Sequence, residues 1–378
     1  MSDTQAGRPP TGERTLGERE RDLDVESPEH AEEHGLEFNR RSLLALGAFL
    51  VLSLAALYVL LPQLAGLEDT WRRIEDGSPY WTLLALLFGL GMFGAYVAMF
   101  RGIFLRAGAA RIGWKASYEI TMAGLAASRI FAAGGAGGLV LTAWALRRAG
   151  MARRLVADKT LTFLILTYLP YMGALIVCGF GLRAGLFPGA APFGLTVVPS
   201  VIAAILTTIG VATVLVPPDL QRRLEGFADR RGRLGTWAQR LANLPASASA
   251  GMRDALTHLR YPDPALAGAV LFWGFQVAVL WAAFRAFGQS PPAAVLVQGF
   301  FIGMLGNLLP LPGGVGGVEG GMIGSFVAFG VDGGLTLVAV LVYRAFTFWL
   351  PLLPGVIAYF GLRHTVDAWA QERRAAAA

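Results

Sequence analysis

Thiol chemistry is nearly missing from this chain: Cys178 is its single cysteine, and it lies inside an apolar run. One cysteine excludes an intrachain disulfide and any cysteine-cluster metal site. Histidine is almost as scarce. His30, His34, His258 and His364 all fall outside the long apolar runs, and no metal-ligand spacing or Ser-His-Asp arrangement forms around them. No Lys-Ser or Lys-Thr follows the glycine clusters, which excludes a phosphate-binding loop. No secretory signal is expected either, since the first apolar run begins only at Leu43. Charge is thin, at 15% of the 378 residues against 54% hydrophobic. A soluble domain with a buried core does not have that balance, and no cofactor is expected.

What is present in quantity is apolar length. Runs at 43–61, 81–100, 161–182, 193–216, 265–287 and 335–362 each reach or approach the roughly 20 residues that cross a bilayer. Two further segments, 117–146 and 293–330, are apolar but interrupted by glycine. The expected fold is an all-α, polytopic integral membrane protein with about six full spans and two re-entrant half-helix hairpins. Residues 1–38 are charged, poor in apolar positions, and read as a disordered cytoplasmic tail. The transmembrane domain then covers 39–365, and 366–378 form a second cytoplasmic tail. The segment 218–264 holds Arg222, Arg223, Arg230, Arg231, Arg233, Arg240, Arg253 and Arg260. It reads as a solvated basic cytoplasmic loop, with adhesion to anionic lipid as the second reading.

Orientation follows from Lys and Arg, which concentrate in cytoplasmic loops. The net charge of +6 is read as that bias, and no nucleic-acid partner is expected. The basic loops 101–116, 147–159 and 218–264 go inside together with both termini. The loops near 63–80, 184–192, 288–292 and 331–334 go outside. The assignment closes only if each glycine segment returns to the side from which it came. The two hairpins then oppose one another, as in the inverted repeats of transporters.

The second broken segment is the sharper one. Gly306 to Gly321 carries two prolines, seven glycines and one carboxylate. Proline removes a backbone donor and glycine opens dihedral space closed to other residues, so a straight membrane helix is not expected. Pro312, Gly313, Gly314, Gly316 and Gly317 are assigned to the hairpin turn. Gly134, Gly135, Gly137 and Gly138 repeat the spacing and are assigned to the first turn, with glycine-rich composition as the plainer explanation. Gly313, Gly317 and Gly321 recur every four residues, as do Gly316, Gly320 and Gly324. Small residues at that spacing let helices pack closely in lipid.

Charges deep in the apolar segments are the candidate site residues, because each is costly to place there. Glu319 follows the second turn, Arg129 precedes the first, and Arg344 lies about ten residues, or about 15 Å, into the last run. Glu319 reads as a proton- or cation-coupling carboxylate, as a structural partner of Arg344, or as an interfacial charge. Arg129 and Arg344 read as a cradle for a phosphate headgroup, since guanidinium forks match phosphate oxygens. Helix-to-helix pairing is the alternative. Asn307 is a candidate hydrogen-bond donor to a headgroup or to freed carbonyls. Lys159 and Asp158 read as boundary charges.

The stretch PLPGGVGGVEGG after Asn307, the earlier RIFAAGGAGGLVL, and the run from Tyr343 to Pro351 resemble the flippase-like transmembrane family, the membrane region of lysylphosphatidylglycerol synthases. The resemblance covers roughly 40–365. It implies a prokaryotic inner-membrane protein that moves a phospholipid or lipid-linked molecule between leaflets, with membrane lipids and a separate lipid-synthesising enzyme as partners. In two-part members a soluble C-terminal domain makes aminoacyl-lipid. This chain runs to Ala378 without one and is expected to be a stand-alone member. Ala132, Ala133 and Leu139 stand where the family commonly has a proline and an acid beside the first glycines. The first hairpin is therefore expected to lack its own carboxylate. An integral membrane enzyme acting on lipid phosphates and a scaffold for a partner synthase are the rival functions.

Overall fold

Apolar runs of this length satisfy their own backbone only as helices once in lipid, and helices are what the chain forms. The computed structural model describes residues 77–108, 112–130, 136–215, 249, 251–259, 263–309 and 311–377, all within one unit, Arg40–Ala378. The first apolar run at 43–61, the tail 1–38, Gly134, Gly135 and most of the 218–264 loop lie outside them. The helices are α1 (Pro79–Phe104), α2 (Trp114–Ile130), α3 (Ala136–Arg148), α4 (Arg153–Arg183), α5 (Phe193–Ala212), α6 (Pro264–Phe287), α7 (Ala293–Met304), α8 (Gly317–Ala328), α9 (Gly333–Arg344) and α10 (Leu352–Ala377). No strand occurs among the described residues.

Among the described residues, five stretches are long and apolar enough to cross a membrane: α1, α4, α5, α6 and the α9–α10 run, Gly333–Ala375. They coincide with five of the six runs expected to span; the sixth, 43–61, is the one outside the described residues. Pro170 sits inside an unbroken α4. The last helix runs longer than expected. It continues to Ala377 with Val366 and Trp369 buried, so residues 366–377 are helical.

Antiparallel α1 and α6 form the spine. A Cβ on Gly268 would stand 2.7 Å from Met99 N, and one on Gly102 2.8 Å from Ala265 N. Only glycine permits that approach, and close backbone contact is what drives helix association in lipid. Polar glue comes from Trp273 Nε1, donating to Thr167 O at 2.6 Å, and Tyr171 Oη, donating to Phe301 O at 2.6 Å. The outer face of α5 leaves Ile202, Ile205, Leu206 and Ile209 exposed, as a lipid-facing helix does.

The spine defines two ends. At one, Ser78 N–H donates to Ala286 O and Trp81 meets Trp281 edge-on. At the other, Arg106 pairs with Asp263, and Arg101 stacks on Trp114 with its Cζ 3.8 Å from the ring centroid. The α2–α3 hairpin starts from this second, basic end, and Arg148 O accepts from Arg373 there. The α7–α8 hairpin starts from the Trp81 end and returns to it, where Ala294 and Phe329 pack with Leu182. At 1.5 Å per residue, α3, α7 and α8 are each only about 18–20 Å long, short of the roughly 30 Å hydrocarbon core. Two hairpins thus come in from opposite ends of one spine, as the charge pattern required.

The basic end is cross-braced. Lys159 Nζ donates to both oxygens of Asp254 at 3.0 and 2.9 Å, and Thr162 Oγ1 adds a third bond at 2.9 Å. His258 Nδ1 lies 2.8 Å from Asp263 Oδ2, while Asp263 caps α6 through the Ala265 N–H. Lys159 is therefore a strut and more than a boundary charge. Burial pushes the Asp263 carboxyl up, but the Ala265 N–H, His258 and Arg106 outweigh it and hold it below its ordinary 3.8. A depressed carboxyl stabilises the fold above the unfolded value and loses that contribution as pH falls through the folded one. Asp263→Asn, which keeps the cap but not the charge, should lower stability by about 1.5–3 kcal/mol near neutrality. The gap to the parent should close below about pH 4, read from thermal unfolding in detergent.

Candidate functional site

The site forms where the turn of the second hairpin meets the end of α2. After Met304, the chain tightens into a 3-10 turn at Leu305–Leu308, and a second follows at Pro312–Gly314. Gly313 has φ 59° and ψ 15°, the left-handed region that penalises any Cβ. A Cβ there would also lie 2.4 Å from the Phe348 ring and 3.1 Å from Arg129 O. The tip of the second hairpin therefore rests on the last turn of α2. The glycine that makes the turn also permits the contact.

Glu319 occupies the third position of α8. Its Oε2 accepts from Gly316 N–H at 2.7 Å, half of a capping box, which places a carboxylate on the positive end of the helix. Its Oε1 accepts from Arg344 Nε at 2.6 Å, with both side chains largely buried. Arg344 Nη2 donates to Gly313 O at 3.2 Å, and its Cζ lies 4.2 Å from the Phe348 ring centroid. Of the readings open for Glu319, the structure displays the pair with Arg344.

Arg129 also lies by this ring, its Cζ 5.5 Å from the centroid. Its Nη2 donates to Thr347 O at 2.6 Å. That carbonyl is free for a reason written in the chain. Past Arg344 the helix widens into a π turn, Ala345–Trp349, and the residue four beyond Thr347 is Pro351, which has no N–H to give. Arg129 Nη1 is shut off from solvent and has no hydrogen-bond partner. Two guanidiniums lie by one ring, and a carboxylate pairs with one of them, a net charge of +1 in formal count.

The other candidates take different places. Asn307 is exposed beside the tip, where Nδ2 donates to Met304 O at 3.2 Å, and it does not reach the arginines. Gly137 and Gly138 lie in the first turn of α3, and a Cβ on Gly138 would overlap Ser128 Oγ and Gly124 O, so Gly138 serves helix contact. Of the two glycine ridges, Gly317 and Gly321 press on the backbones of Gly306 and Gly303. Gly320 and Gly324 meet nothing within 4 Å. Leu305, Leu308, Leu309 and Leu311 leave the tip with an exposed apolar face, Leu308 at 81%. A cavity of about 40 Å³ lies toward the basic end, lined by Tyr96, Thr121, Ser128, Thr142, Thr160 and Phe163 among others. Ser128 is among its lining residues, and Arg129 is not.

Three participants escaped the sequence reading. Thr347 and Phe348 stood inside a quoted motif without a role. Glu119 is the third: it is buried on α2, accepts from Thr365 Oγ1 at 2.7 Å, and lies 3.9 Å from Lys115 Nζ. It is held against α10 near the basic end, far along α2 from the glycine cluster where the acid was sought. Its i,i+4 spacing from Lys115 was the available signal.

Comparison with known proteins agrees with this architecture. The family described as "Lysylphosphatidylglycerol synthase TM region" matches residues 43–355. Relatives called "UPF0104 membrane protein", from Methanothermobacter thermautotrophicus, share 38% identity over 96 residues, 25% of this chain and 27% of the relative. A second shares 32% over 132 residues, covering 33% and 40% respectively. The matched segments span well under half the length of those relatives.

Proposed function

The chain belongs to the lysylphosphatidylglycerol synthase transmembrane-region family, a family of membrane proteins, and on that premise we propose that it translocates a phospholipid or lipid-linked molecule between leaflets. The observation that carries this reading is Arg129 Nη1, a buried cationic donor without a partner, at the meeting point of two opposed hairpins. An unpaired buried charge is costly, and proteins retain such groups in membranes chiefly for function. An anionic headgroup is the ligand that would repay it, since a guanidinium keeps its charge when buried and matches phosphate oxygens. The apolar face of Leu308, Leu309 and Leu311 beside the tip suits the lipid's tails. By the Lys and Arg excess, the basic end faces the cytoplasm of a prokaryotic inner membrane, with both termini inside. The Arg129 side of the site is closed in this conformation, as expected of one state in an alternation.

Chemistry on the lipid phosphate is the weaker reading. A general base needs a free oxygen within reach of the proton it takes, and both oxygens of Glu319 accept hydrogen bonds from the protein. The substrate would come from a separate lipid-synthesising enzyme.

The protein would be reconstituted in liposomes with fluorescent anionic phospholipid, and inward movement followed by loss of quenching from outside. Wild type should translocate the lipid without altering it. Arg129→Gln should slow movement at least about tenfold, the loss of one charge-assisted contact. Hydrolysed or transferred lipid, or an Arg129→Gln rate equal to wild type, would sink the proposal.

A further inference from the structure

The site's charges are unequally committed. Arg344 gives Nε to Glu319 and Nη2 to Gly313 O, while Glu319 spends its second oxygen on Gly316 N–H. That leaves one positive charge uncompensated, on Arg129, with Nη2 on Thr347 O and Nη1 open. In a low-dielectric interior, residual charge after binding is costly in either sign. A monoanion cancels the site, whereas a dianion leaves it negative by one.

We infer that Glu319 determines specificity by setting this count: the site takes a lipid phosphodiester with one negative charge in preference to a phosphomonoester or pyrophosphate with two or more. The inference rests on the reading of Arg129 as the headgroup's partner and adds to it the headgroup's charge class. Glu319 does not touch the phosphate. It acts by holding Arg344 as a neutral pair, which makes it a positioning and charge-setting residue. Two consequences are specific to that role. Removing its charge alone raises the site to +2 and should favour dianions. Removing the charges of Glu319 and Arg344 together restores +1 and should restore the monoanion preference, although two site residues have then changed.

The test is titration of purified protein in detergent with two lipids of identical short tails, dihexanoyl phosphatidylglycerol and dihexanoyl phosphatidic acid. At about pH 8 the diester carries one charge and the monoester close to two. Glycerol 3-phosphate is the arm without tails. Wild type should prefer phosphatidylglycerol and bind glycerol 3-phosphate most weakly. Glu319→Gln, whose amide oxygen still accepts from Gly316 N–H, should shift the ratio toward phosphatidic acid by roughly tenfold or more. The double variant Glu319→Gln/Arg344→Gln should return it to the wild-type ratio. An unchanged ratio in Glu319→Gln, with binding still weakened by Arg129→Gln, overturns the charge count and leaves the headgroup site standing. Wild type that binds neither lipid, or lipid binding indifferent to Arg129→Gln, overturns the site itself. Glycerol 3-phosphate bound as tightly as the lipids would make the ligand a free phosphate ester and overturn the lipid assignment.

Discussion

Arg344→Met should destabilise the protein by about 3–5 kcal/mol, because it strands the Glu319 carboxylate in a buried place. Methionine fills much of the arginine stem's volume, so little of the loss comes from an empty cavity. The side chains of Arg344 and Glu319 are 7% and 12% exposed, too little for water to replace the missing partner. The substitution also removes the hydrogen bond to Gly313 O and the stacking on Phe348, so the turn at Gly313 loses its clamp. Adding Glu319→Gln to Arg344→Met should recover most of the stability, since an amide tolerates burial where a carboxylate does not. A double-mutant cycle, read by equilibrium unfolding in detergent, gives the coupling directly. Additive losses would mean that the two side chains act independently, contrary to their 2.6 Å contact.

That pair shows which parts of the site could be read from letters. Glu319 and Arg344 declare themselves because a charge within an apolar run has few explanations. Gly313 and Pro312 do so because no straight helix accommodates them. The opposed hairpins follow from Arg and Lys counts combined with the two glycine breaks. Their meeting point does not. Arg129 finds Thr347 O across 218 residues of sequence, and it does so only because a π turn and Pro351 leave that carbonyl free. No local pattern encodes such a contact. Glu119 was passed over for the opposite reason: beside Lys115 it looks like an ordinary surface pair, and only the packing of α10 at Gly361 and Thr365 buries it.

The glycines give the second large effect, and they separate two ridges that look alike in sequence. At the crossing of α7 and α8, the last residues of one hairpin arm lie against the first of the other. An alanine methyl at Gly306 would stand 2.2 Å from Gly317 O, 2.3 Å from Gly317 C and 2.5 Å from Val318 N. These are backbone atoms, and no rotamer change can move them aside. The arms must separate, and the shift reaches Gly316 and Glu319 at once, since both lie within three residues of Gly317. Gly306→Ala should therefore cost about 3 kcal/mol or more, the upper range for overpacking, and abolish translocation with it. Gly320→Ala is the matched control on the same arm. Its new methyl meets nothing within 4 Å, and alanine is the better helix former by about 1 kcal/mol, so stability should hold or rise. Thermal unfolding in detergent and flipping in liposomes, measured on both variants, decide the matter. Equal tolerance at the two positions would mean that the hairpin arms do not cross at Gly306.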